Sequence, residues 1–423
     1  MNTEKICLTQ ELDCKKYYDI IVAGGGLAGV AAAITAKKRG KSVLLLEKSN
    51  ILGGLGTLGL INWFVPMCNG RGKQIIFGLA EEWLRLSAKY GYDTIHDEWK
   101  DGEPKEPTLI RHTQRYSPYI FALQLTEEVQ NAGVDLLFDC IASVPVMEDK
   151  HCKGIVVENK SGREYYAAGM VIDTTGDADI LRRSGIPTVN GQNYFSYFGK
   201  AITIDSCKKA AESGNILDAY TGVCGGNANL YGGNHMEGVP KYAGVTVEDV
   251  SDYLIRNQLL MLEHIKNDDR KSRDIAMMPM MPQFRTTCHI EGDYTLSMED
   301  SYRHFDDSVC AINDFDHRDL LMEIPLRCLT RRGWDNIITA GRSVGAKDYA
   351  WDMVRVIPPA IITGQAAAEA AVLALETETP IADVDIAVLQ ERIASDNIMI
   401  HFPDSYVPED VQKLETADNE GHV

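Results

Sequence analysis

Short apolar runs and glycines alternate along the first fifty residues. Residues 18–23, YDIIVA, form a β-rich run that stops at Gly24, and the alanine-rich stretch from Leu27 to Arg39 predicts a helix with Gly40 at its C-terminal cap. The run KSVLLLE follows and predicts a second buried strand. Because both runs are short and apolar, this strand–helix–strand unit of about 30 residues predicts a parallel sheet.

The same patterns predict further elements along the chain. Helices are predicted at Leu79 to Tyr90, at PYIFALQLTEEVQNAG with Gly133 beyond its end, from Thr246, where TVED offers a capping-box-like start, and near 358 to 375. Strands are predicted at VDLLFD and NIITAG, and the alternating runs between Ile141 and Asp173, with a turn at Ser161-Gly162, predict an antiparallel meander. The stretch FRTTCHIEGDYTLS predicts a hairpin or a pair of loops.

The chain changes character between residues 186 and 330, which contain more aromatics, methionines and isolated glycines. We therefore predict an α/β fold, with a Rossmann-like domain that includes a β-meander and an inserted α+β substrate domain. The predicted boundaries are residues 17–60, 116–185 and 331–375 for the discontinuous Rossmann-like domain, 61–115 and 186–330 for the substrate or cap domain, and 376–423 for a C-terminal helix and tail.

Composition and charge exclude several classes of function. The 423 residues are 45% apolar and 24% charged, and a net charge of −19 argues against binding to nucleic acid or to an anionic membrane. The ten cysteines include no Cys-x-x-Cys pair and the ten histidines no His-Glu-x-x-His spacing, so we predict no metal site. The first residues, MNTEKICLTQELDCKKYYD, lack the apolar core of a signal peptide, and we expect a cytoplasmic protein with reduced cysteines.

The motif GGGLAG places Gly24, Gly26 and Gly29 in a Gly-x-Gly-x-x-Gly pattern between the first strand and the first helix. Gly24 permits a tight turn, Gly26 lets the backbone approach a pyrophosphate, and Gly29 allows the helix to pack closely on the strand. Glu47, 18 residues past Gly29, is placed to accept hydrogen bonds from an adenosine ribose. The alternative is a structural turn followed by a surface glutamate.

A second glycine-rich loop, GGLGTLG, begins at Gly53. NAD ends soon after its pyrophosphate, whereas FAD continues into a ribityl chain and a three-ring flavin. Bare backbone in the second loop would lie beside the pyrophosphate and along the cofactor, where side chains would clash. The two loops together therefore favour FAD, and the alternative for the second is an ordinary flexible loop.

Three segments of the chain resemble the FAD-dependent oxidoreductases of the glutathione-reductase-like, two-dinucleotide-binding superfamily. They are DIIVAGGGLAGVAAAITAKKRGKSVLLLEKSNILGG, MVIDTTGDAD and NIITAGRSVGAKDYAWDMVRVIPPAIITGQAAAEAA. The stretches GGLGTLGL, FRTTCHIEGDYTLSMED and IPLRCL are similar to a bacterial subgroup known only as FAD-dependent oxidoreductases. The resemblance implies FAD as cofactor, held by the Rossmann-like domain.

The resemblance also implies cofactor contacts at matched positions. These are Gly24, Gly26, Leu27, Ala28 and Gly29 in the first loop, Glu47 and Lys48 at the ribose, Gly53, Gly54 and Thr57 in the second loop, Ile141 or Ala142 beside the adenine, Thr175, Gly176 and Asp177, and Gly341, Arg342 and Pro358 towards the ribityl chain and the flavin.

Two features of related enzymes are missing from the sequence. No second strand–GxGxxG–helix unit for a nicotinamide nucleotide is visible, because GVCGGNANLYGG at 222–233 has no β-run before it and no helix after it. No Cys-x-x-x-x-Cys follows the first loop, which excludes a disulfide-reductase mechanism. We therefore expect the substrate or reductant to meet the flavin directly.

Candidate catalytic residues lie in three segments. Arg111 and His112 fall in IRHTQRY, Arg285 and His289 in FRTTCHI, and Arg355 precedes Val-Ile-Pro-Pro. An arginine holds a carboxylate through two parallel hydrogen bonds, and a histidine shuttles protons near neutral pH. The alternatives are internal salt bridges for the arginines and packed imidazoles for the histidines. We choose Arg355 to hold an anion and His289 to move a proton, and we expect both to face one cavity.

The sequence thus predicts an FAD-dependent oxidoreductase that transfers hydride or electrons between flavin and a small polar substrate bearing a carboxylate or hydroxyl. One alternative is a flavin-linked C=C reductase with a separate electron donor. An alternative of another class is a flavin-binding RNA-modification or assembly protein, which the negative charge disfavours. The sequence is also compatible with a homo-oligomer.

Overall fold

The computed structural model describes residues 6–7 and 9–409 of the chain. The described helices are α1 (Leu27–Lys38), α2 (Leu79–Tyr90), α3 (Pro118–Ala132), α4 (Asp179–Arg183), α5 (Ile204–Ser213), α6 (Val247–Lys266), α7 (Asp348–Val354), α8 (Ile357–Thr377) and α9 (Ile386–Ser395). The described strands are β1 (Cys14–Ala23), β2 (Val43–Leu46), β3 (Trp63–Phe64), β4 (Gln114–Arg115), β5 (Asp135–Leu137), β6 (Ile141–Glu148), β7 (His151–Asn159), β8 (Gly162–Asp173), β9 (Thr188–Asn190), β10 (Ser196–Thr203), β11 (Tyr220–Asn227), β12 (Arg273–Met277), β13 (Cys288–Ile290), β14 (Ser308–Asn313), β15 (Leu321–Pro325) and β16 (Ile337–Thr339).

The largest sheet has seven strands in the order β5-β2-β1-β8-β7-β6, and β16 also pairs with β8. Strand β1 runs parallel to β2 and β8, and β2 runs parallel to β5. Val22 of β1 therefore lies between Leu45 and Ile172, all three fully buried. A central run of apolar parallel strands confirms the predicted α/β, Rossmann-like fold class.

Strand β8 belongs both to the antiparallel meander and to the parallel part of the sheet, where it pairs with β16. Its residues 162–167 pair antiparallel with β7, whereas residues 171–173 pair parallel with β16. The strands β6, β7 and β8 form the predicted antiparallel meander. Because β16 lies far along the chain, one sheet is built from both ends of the sequence.

Helices α1 and α8 pack against each other beside this sheet. A Cβ atom on Gly364 would lie 2.2 Å from the carbonyl oxygen of Ala28, so glycine at this position lets the two backbones touch. Of the described helices, only α8 has the length and composition to cross a membrane. Its apolar stretch of 18 residues is 94% buried inside the protein. The helix therefore serves as the central core helix of the fold.

Four smaller sheets lie outside the main sheet. The three-stranded sheet β11-β10-β12 packs against α6, whose buried Tyr253 contacts the rings of Tyr197, Tyr242 and Phe284. The other small sheets are the pairs β9–β13, β14–β15 and β3–β4. These elements fall within the segments assigned to the substrate or cap domain.

The predicted elements and the observed ones differ in the middle of the chain. The predictions for α1, α2, α3, α6, α8, β1, β2, β5 and β16 are confirmed, with small shifts at their ends. Of the two alternatives for FRTTCHIEGDYTLS, the hairpin is wrong, because the only described strand in this stretch, β13, pairs with the distant β9 and loops lie on either side of it. Strands β10–β12 and the β14–β15 hairpin were not predicted, and glycines interrupt the apolar pattern of β10 and β11. The tail beyond residue 409 lies outside the described residues.

Candidate functional site

The carboxyl ends of four parallel strands converge on one cleft. Gly24 follows β1, Glu47 follows β2, Thr174 follows β8 and Ala340 follows β16, and all four line a cavity of about 340 Å³, here called the first cavity. Ligands of open α/β sheets bind at this edge, where the strand order reverses. The topology thus brings together loops that are distant in the sequence.

The three motif glycines have different surroundings. Gly24 has a φ of +106°, and a Cβ atom there would lie 2.5 Å from the carbonyl oxygen of Thr174. A Cβ atom on Gly29 would lie 1.9 Å from the carbonyl oxygen of Gly24, so this glycine lets α1 start directly against β1. A Cβ atom on Gly26 would meet no protein atom within 4 Å, although Gly26 lines the first cavity. Gly26 therefore keeps the cavity wall, not the protein core, free of a side chain.

Glu47 is held rigidly at the wall of the first cavity. The residue is 7% exposed, its Oε2 accepts a hydrogen bond of 2.7 Å from the backbone N–H of Gly25, and its Oε1 accepts one of 2.7 Å from that of Ser49. A carboxylate offers about four lone-pair sites. Each oxygen can therefore accept a further hydrogen bond from a ribose hydroxyl in the cavity.

Asp173 organises the loop that follows β8. Its Oδ1 accepts hydrogen bonds from the N–H and hydroxyl of Thr175, and its Oδ2 accepts from the N–H groups of Ile180 and Leu181, at 2.7 to 3.0 Å. Burial raises the pKa of Asp173, and these hydrogen bonds oppose that effect. Sequence reasoning missed this residue, although an acidic residue at the end of an apolar strand was a visible signal.

Most of the predicted cofactor residues line the first cavity. They are Gly24, Gly26, Leu27, Ala28, Glu47, Lys48, Gly53, Gly54, Ile141, Ala142, Thr175, Gly176, Gly341 and Arg342. Lining residues that were not predicted include Ser49, Cys140, Met280, Met281 and Ile357. Met280 and Met281 come from the AMMPMMP segment, which carried no motif to connect it with the glycine loops.

Four predicted cofactor residues do not line the first cavity. Gly29 packs on Gly24, as described above, and Pro358 is buried in the first turn of α8. The fully buried Thr57 donates a hydrogen bond of 2.6 Å to the carbonyl of Leu52 inside the second loop. These residues therefore support the walls of the cavity rather than face it.

Asp177, the fourth, forms an ion pair of 2.5 Å with the guanidinium of Arg342. Arg342 also donates to the carbonyls of Gly176 and Phe284, at 2.7 and 2.5 Å. The arginine therefore connects the loop after β8 with the segment before β13, and Asp177 holds it there.

The residues of the first cavity fit FAD. The start of α1 and the bare Gly26 leave room and free N–H groups for a pyrophosphate, and Glu47 offers acceptors for a ribose. The lining also includes the apolar side chains of Leu58, Met281 and Ile357, which suit a flat ring system. The cavity thus combines donors for phosphate, acceptors for hydroxyls and an apolar surface.

A second cavity, of about 420 Å³, is lined in part by residues of α7. Its lining residues come from three separated segments, 189–194, 285–289 and 347–352, together with Leu230. Arg285 is the central cation of this cavity. Its guanidinium has only long contacts of 3.4 and 3.5 Å to the carbonyls of Asn229 and Ala228, and it forms no ion pair with any described residue. Burial, with the charge of Arg355, lowers the pKa of Arg285 to about 10.

His289 also lines the second cavity. The residue is 2% exposed, its ring packs edge-on against Trp351, and its Nδ1 lies 2.7 Å from the carbonyl oxygen of Ile290. An Nδ1–H that donates to this carbonyl leaves Nε2 as a bare acceptor. Burial lowers the pKa of His289, so its imidazole is neutral at pH 7.

Arg355 lies where the linings of the two cavities meet. Its guanidinium lines the first cavity and forms an ion pair of 2.6 Å with Asp352, which lines the second. The prediction that Arg355 and His289 face one cavity is therefore wrong, because Arg355 lines the first cavity and His289 lines the second. The structure instead groups His289 with Arg285.

Arg111 and His112 line neither cavity. Arg111 donates a hydrogen bond of 3.0 Å to the carbonyl of Asp314, and burial lowers its pKa. The fully buried ring of His112 stacks on Trp99 with a centroid distance of 4.7 Å, and burial lowers its pKa to about 4. Neither residue is therefore grouped with His289 and Arg285, and their catalytic role stays a prediction.

Comparisons with known proteins point to one family. A model of the family described as FAD dependent oxidoreductase matches residues 19–224 and 225–393. A digeranylgeranylglycerophospholipid reductase of Methanospirillum hungatei is 27% identical over 183 residues, which are 41% of this chain and 42% of that protein. A urocanate reductase of Eggerthella lenta is 58% identical over 36 residues, 8% of this chain and 6% of that protein. The chain therefore matches less than half the length of these curated relatives.

Among solved structures, a geranylgeranyl bacteriochlorophyll reductase-like protein of Thermoplasma acidophilum is similar over 92% of this chain and 94% of its own. Its sequence identity is 15% and its TM-score 0.40. The fold class stated above rests on the sheet topology and not on this likeness.

Proposed function

This chain belongs to the FAD dependent oxidoreductase family, and from that premise we propose that it transfers hydride or electrons between FAD in the first cavity and a small organic anion that reaches the flavin from the second cavity. The observation that carries the substrate class is Arg285. Arg285 is half-buried and forms no ion pair with another described residue. Removing its charge from water costs free energy unless an anion accepts its hydrogen bonds. A substrate carboxylate would satisfy it.

The chain's own residues would bind and orient the substrate. When bound, FAD supplies the hydride or electron transfer. Arg285 and Lys347, which both line the second cavity, would hold the carboxylate, and Asp352 would fix Arg355 beside the substrate where the two cavities meet. In the oxidising direction, the bare Nε2 of His289 would accept the proton of a substrate hydroxyl or amine. This division of roles extends the sequence prediction and moves the anion-holding role from Arg355 to Arg285.

The second candidate is a flavin-linked C=C reductase that receives electrons from a separate donor. The curated relatives named above are reductases, which favours this direction. The glycine-rich segment 222–233 begins inside β11, so the expectation that no strand accompanies it is wrong. In the described chain no helix follows it before Val247, which still supports a separate donor. We therefore expect NADH and NADPH to reduce the flavin slowly or not at all.

Other parts of the proposal concern the whole protein. We assign the chain to the glutathione-reductase-like superfamily and to a bacterial, cytoplasmic setting, supported by ten cysteines that are all unpaired, each within the described residues. The two cavities support the division into an FAD-binding domain and a cap domain. The proposal is compatible with a homo-oligomer. The RNA-modification alternative remains disfavoured by the net charge of −19.

The proposal is tested by anaerobic flavin bleaching with matched pairs of compounds. A 2-hydroxy acid and an amino acid are compared with their neutral amides, and photoreduced protein is reoxidised with acrylate or acrylamide. We expect the carboxylate of one pair to react and its amide to react far more slowly. Equal reactivity within every pair would contradict the anion site, and reaction only in the reoxidation assay would favour the C=C reductase.

The same samples test the electron donor. Stopped-flow bleaching by NADH or NADPH at rates on the order of 10 per second would show that a nicotinamide site exists. A colourless protein that cannot be reconstituted with FAD would contradict the whole proposal.

A further inference from the structure

Two histidines and a buried glutamate converge at a point that lines neither cavity. His304 lies after β13, Glu323 lies in β15, and His401 lies in the segment after α9. The potential ligand atoms of these three residues all lie within 4.8 Å of one another. The three positions are too far apart in the sequence to form a spacing motif, which is why the sequence predicted no metal.

The carboxylate of Glu323 is the centre of this cluster. It is fully buried, its Oε1 lies 2.6 Å from Nδ1 of His304, and its Oε2 lies 3.0 Å from Nδ1 of His401. The backbone N–H of Phe305 donates a hydrogen bond of 2.8 Å to the same Oε2. The carboxylate is therefore fixed by the chain while two imidazole nitrogens face it.

His304 has a carboxylate at each of its ring nitrogens. Its Nε2 lies 2.9 Å from an oxygen of Asp404, opposite the Nδ1 that faces Glu323. A neutral imidazole donates from one nitrogen only. If the Nε2–H of His304 donates to Asp404, the lone pair of Nδ1 points at the carboxylate of Glu323. These two electron-rich groups repel each other, and a cation between them removes this repulsion. A histidine ligand whose other N–H is held by a carboxylate is the usual arrangement at metal sites.

We propose that His304, Glu323 and His401 bind a divalent transition-metal ion, with Zn²⁺ as the best match, and that Asp404 orients His304. Two imidazoles and one carboxylate are a common zinc ligand set, and a water completes the fourth position. The histidine side chains are 41% and 44% exposed, so an ion and its water can reach the site from solvent. The site is separate from the proposed flavin chemistry and does not depend on it.

The ion would connect the segment after α9 to the β14–β15 hairpin. This segment is already attached there, since the carbonyl of Met399 accepts a hydrogen bond of 2.7 Å from Ala311 and that of Ile400 accepts one of 2.7 Å from Ser308. The ion adds a cross-link that reaches from β15 to His401. Its function is therefore to stabilise this end of the fold.

The test measures metal content and affinity of the full chain, with any histidine tag removed. The protein is treated with EDTA, titrated with Zn²⁺ by calorimetry, and analysed by mass spectrometry after desalting. We expect one equivalent of Zn²⁺ per chain and a higher melting temperature. Asp404→Asn should weaken binding by about 10- to 100-fold, and His401→Ala should weaken it further.

Two variants make the result decisive. His264→Ala removes an exposed histidine of α6 and should leave Zn²⁺ affinity unchanged. Glu323→Gln keeps the size of the buried side chain and should abolish binding if it folds. The proposal is overturned if the wild type retains no Zn²⁺, since the cluster is then a metal-free set of hydrogen-bonded side chains, or if His401→Ala binds Zn²⁺ as tightly as the wild type.

Discussion

The first cavity contains stretches of bare glycine backbone, whereas the second is lined mainly by side chains. In the first, the bare backbone of Gly26, Gly53 and Gly54 faces the space that a cofactor would occupy. In the second, the guanidinium of Arg285 and the imidazole of His289 supply the chemistry. A backbone-built site is encoded by a contiguous motif, because neighbouring residues form the loop. A site built from side chains of separate segments leaves no such motif.

This difference predicts how substitutions at the two cavities should separate cofactor binding from turnover. Changes in the first cavity should alter FAD content. Changes in the second should alter kinetics while FAD content is preserved.

The largest effect is expected for Gly26→Val. The branched side chain would project into the first cavity, where a Cβ atom meets no protein atom, so the protein should fold but bind no FAD. FAD released on denaturation and the visible flavin absorbance measure this loss. Gly222→Val in β11 is the matched control, because a Cβ atom there also meets nothing within 4 Å but the residue lines neither cavity. Equal FAD content in both variants would contradict the assignment of the first cavity.

His289→Asn should have the next largest effect. Asparagine can still donate to the carbonyl of Ile290 but lacks the acceptor at Nε2, so kcat should fall by about 10²- to 10⁴-fold with FAD content unchanged. Burial places the pKa of His289 below its usual value of 6.5. A base works in its neutral form, so wild-type kcat/KM should fall only as the pH drops through this lowered pKa. The variant should not show this fall of kcat/KM at low pH. If the fall is unchanged in the variant, another group causes it.

Arg285→Lys should reduce kcat/KM for an anionic substrate by about 10- to 100-fold. A charged hydrogen bond contributes about 1.5–3 kcal/mol, and lysine loses the planar fork while it keeps the charge. Steady-state kinetics and FAD content are measured together. Arg256→Lys on α6, an exposed arginine paired with Asp252, serves as control and should behave as wild type. Loss of FAD in Arg285→Lys would show that the two cavities cannot be separated in this way.

Arg355→Lys should have a smaller effect, below about tenfold in kcat/KM. Lysine can keep one hydrogen bond to Asp352 but cannot reproduce both contacts of 2.6 and 2.7 Å between the cavities. FAD content should stay unchanged. If this variant loses FAD, Arg355 is a cofactor contact of the first cavity rather than a residue between the two.

His112→Phe should leave activity at neutral pH unchanged and alter only the pH dependence of stability. The folded protein holds the pKa of His112 at about 4, against 6.5 for an unperturbed histidine, so stability present above pH 6.5 is lost as the pH falls towards 4. Between about pH 7 and pH 5 this loss amounts to about 2 kcal/mol. Urea unfolding at the two pH values should show a smaller difference for the variant. A loss of turnover in His112→Phe would mean that the catalytic site is not confined to the second cavity.

Much of the first cavity could be predicted from the sequence. The strand–loop–helix pattern around Gly24, the acidic Glu47 at the end of β2 and the glycines at 53 and 54 are each local in the chain. Met280 and Met281 could not be predicted, because only folding brings their segment to the glycine loops. Thr57 and Asp177 were placed at the right loops but face protein groups, since their hydrogen-bond partners are set by tertiary contacts.

The sequence by itself determined the α/β architecture and the loops of the first cavity, because apolar strands, capping glycines and a glycine-rich turn act over a few neighbouring residues. Only the tertiary structure decided which arginine lines the same cavity as His289, that Arg111 and His112 line neither cavity, and that His304, Glu323 and His401 meet. The physical reason is that burial, ion pairing and ligand geometry depend on residues far apart in the chain. Their distances are fixed when β16 joins β8 and the cap folds against α7 and α8.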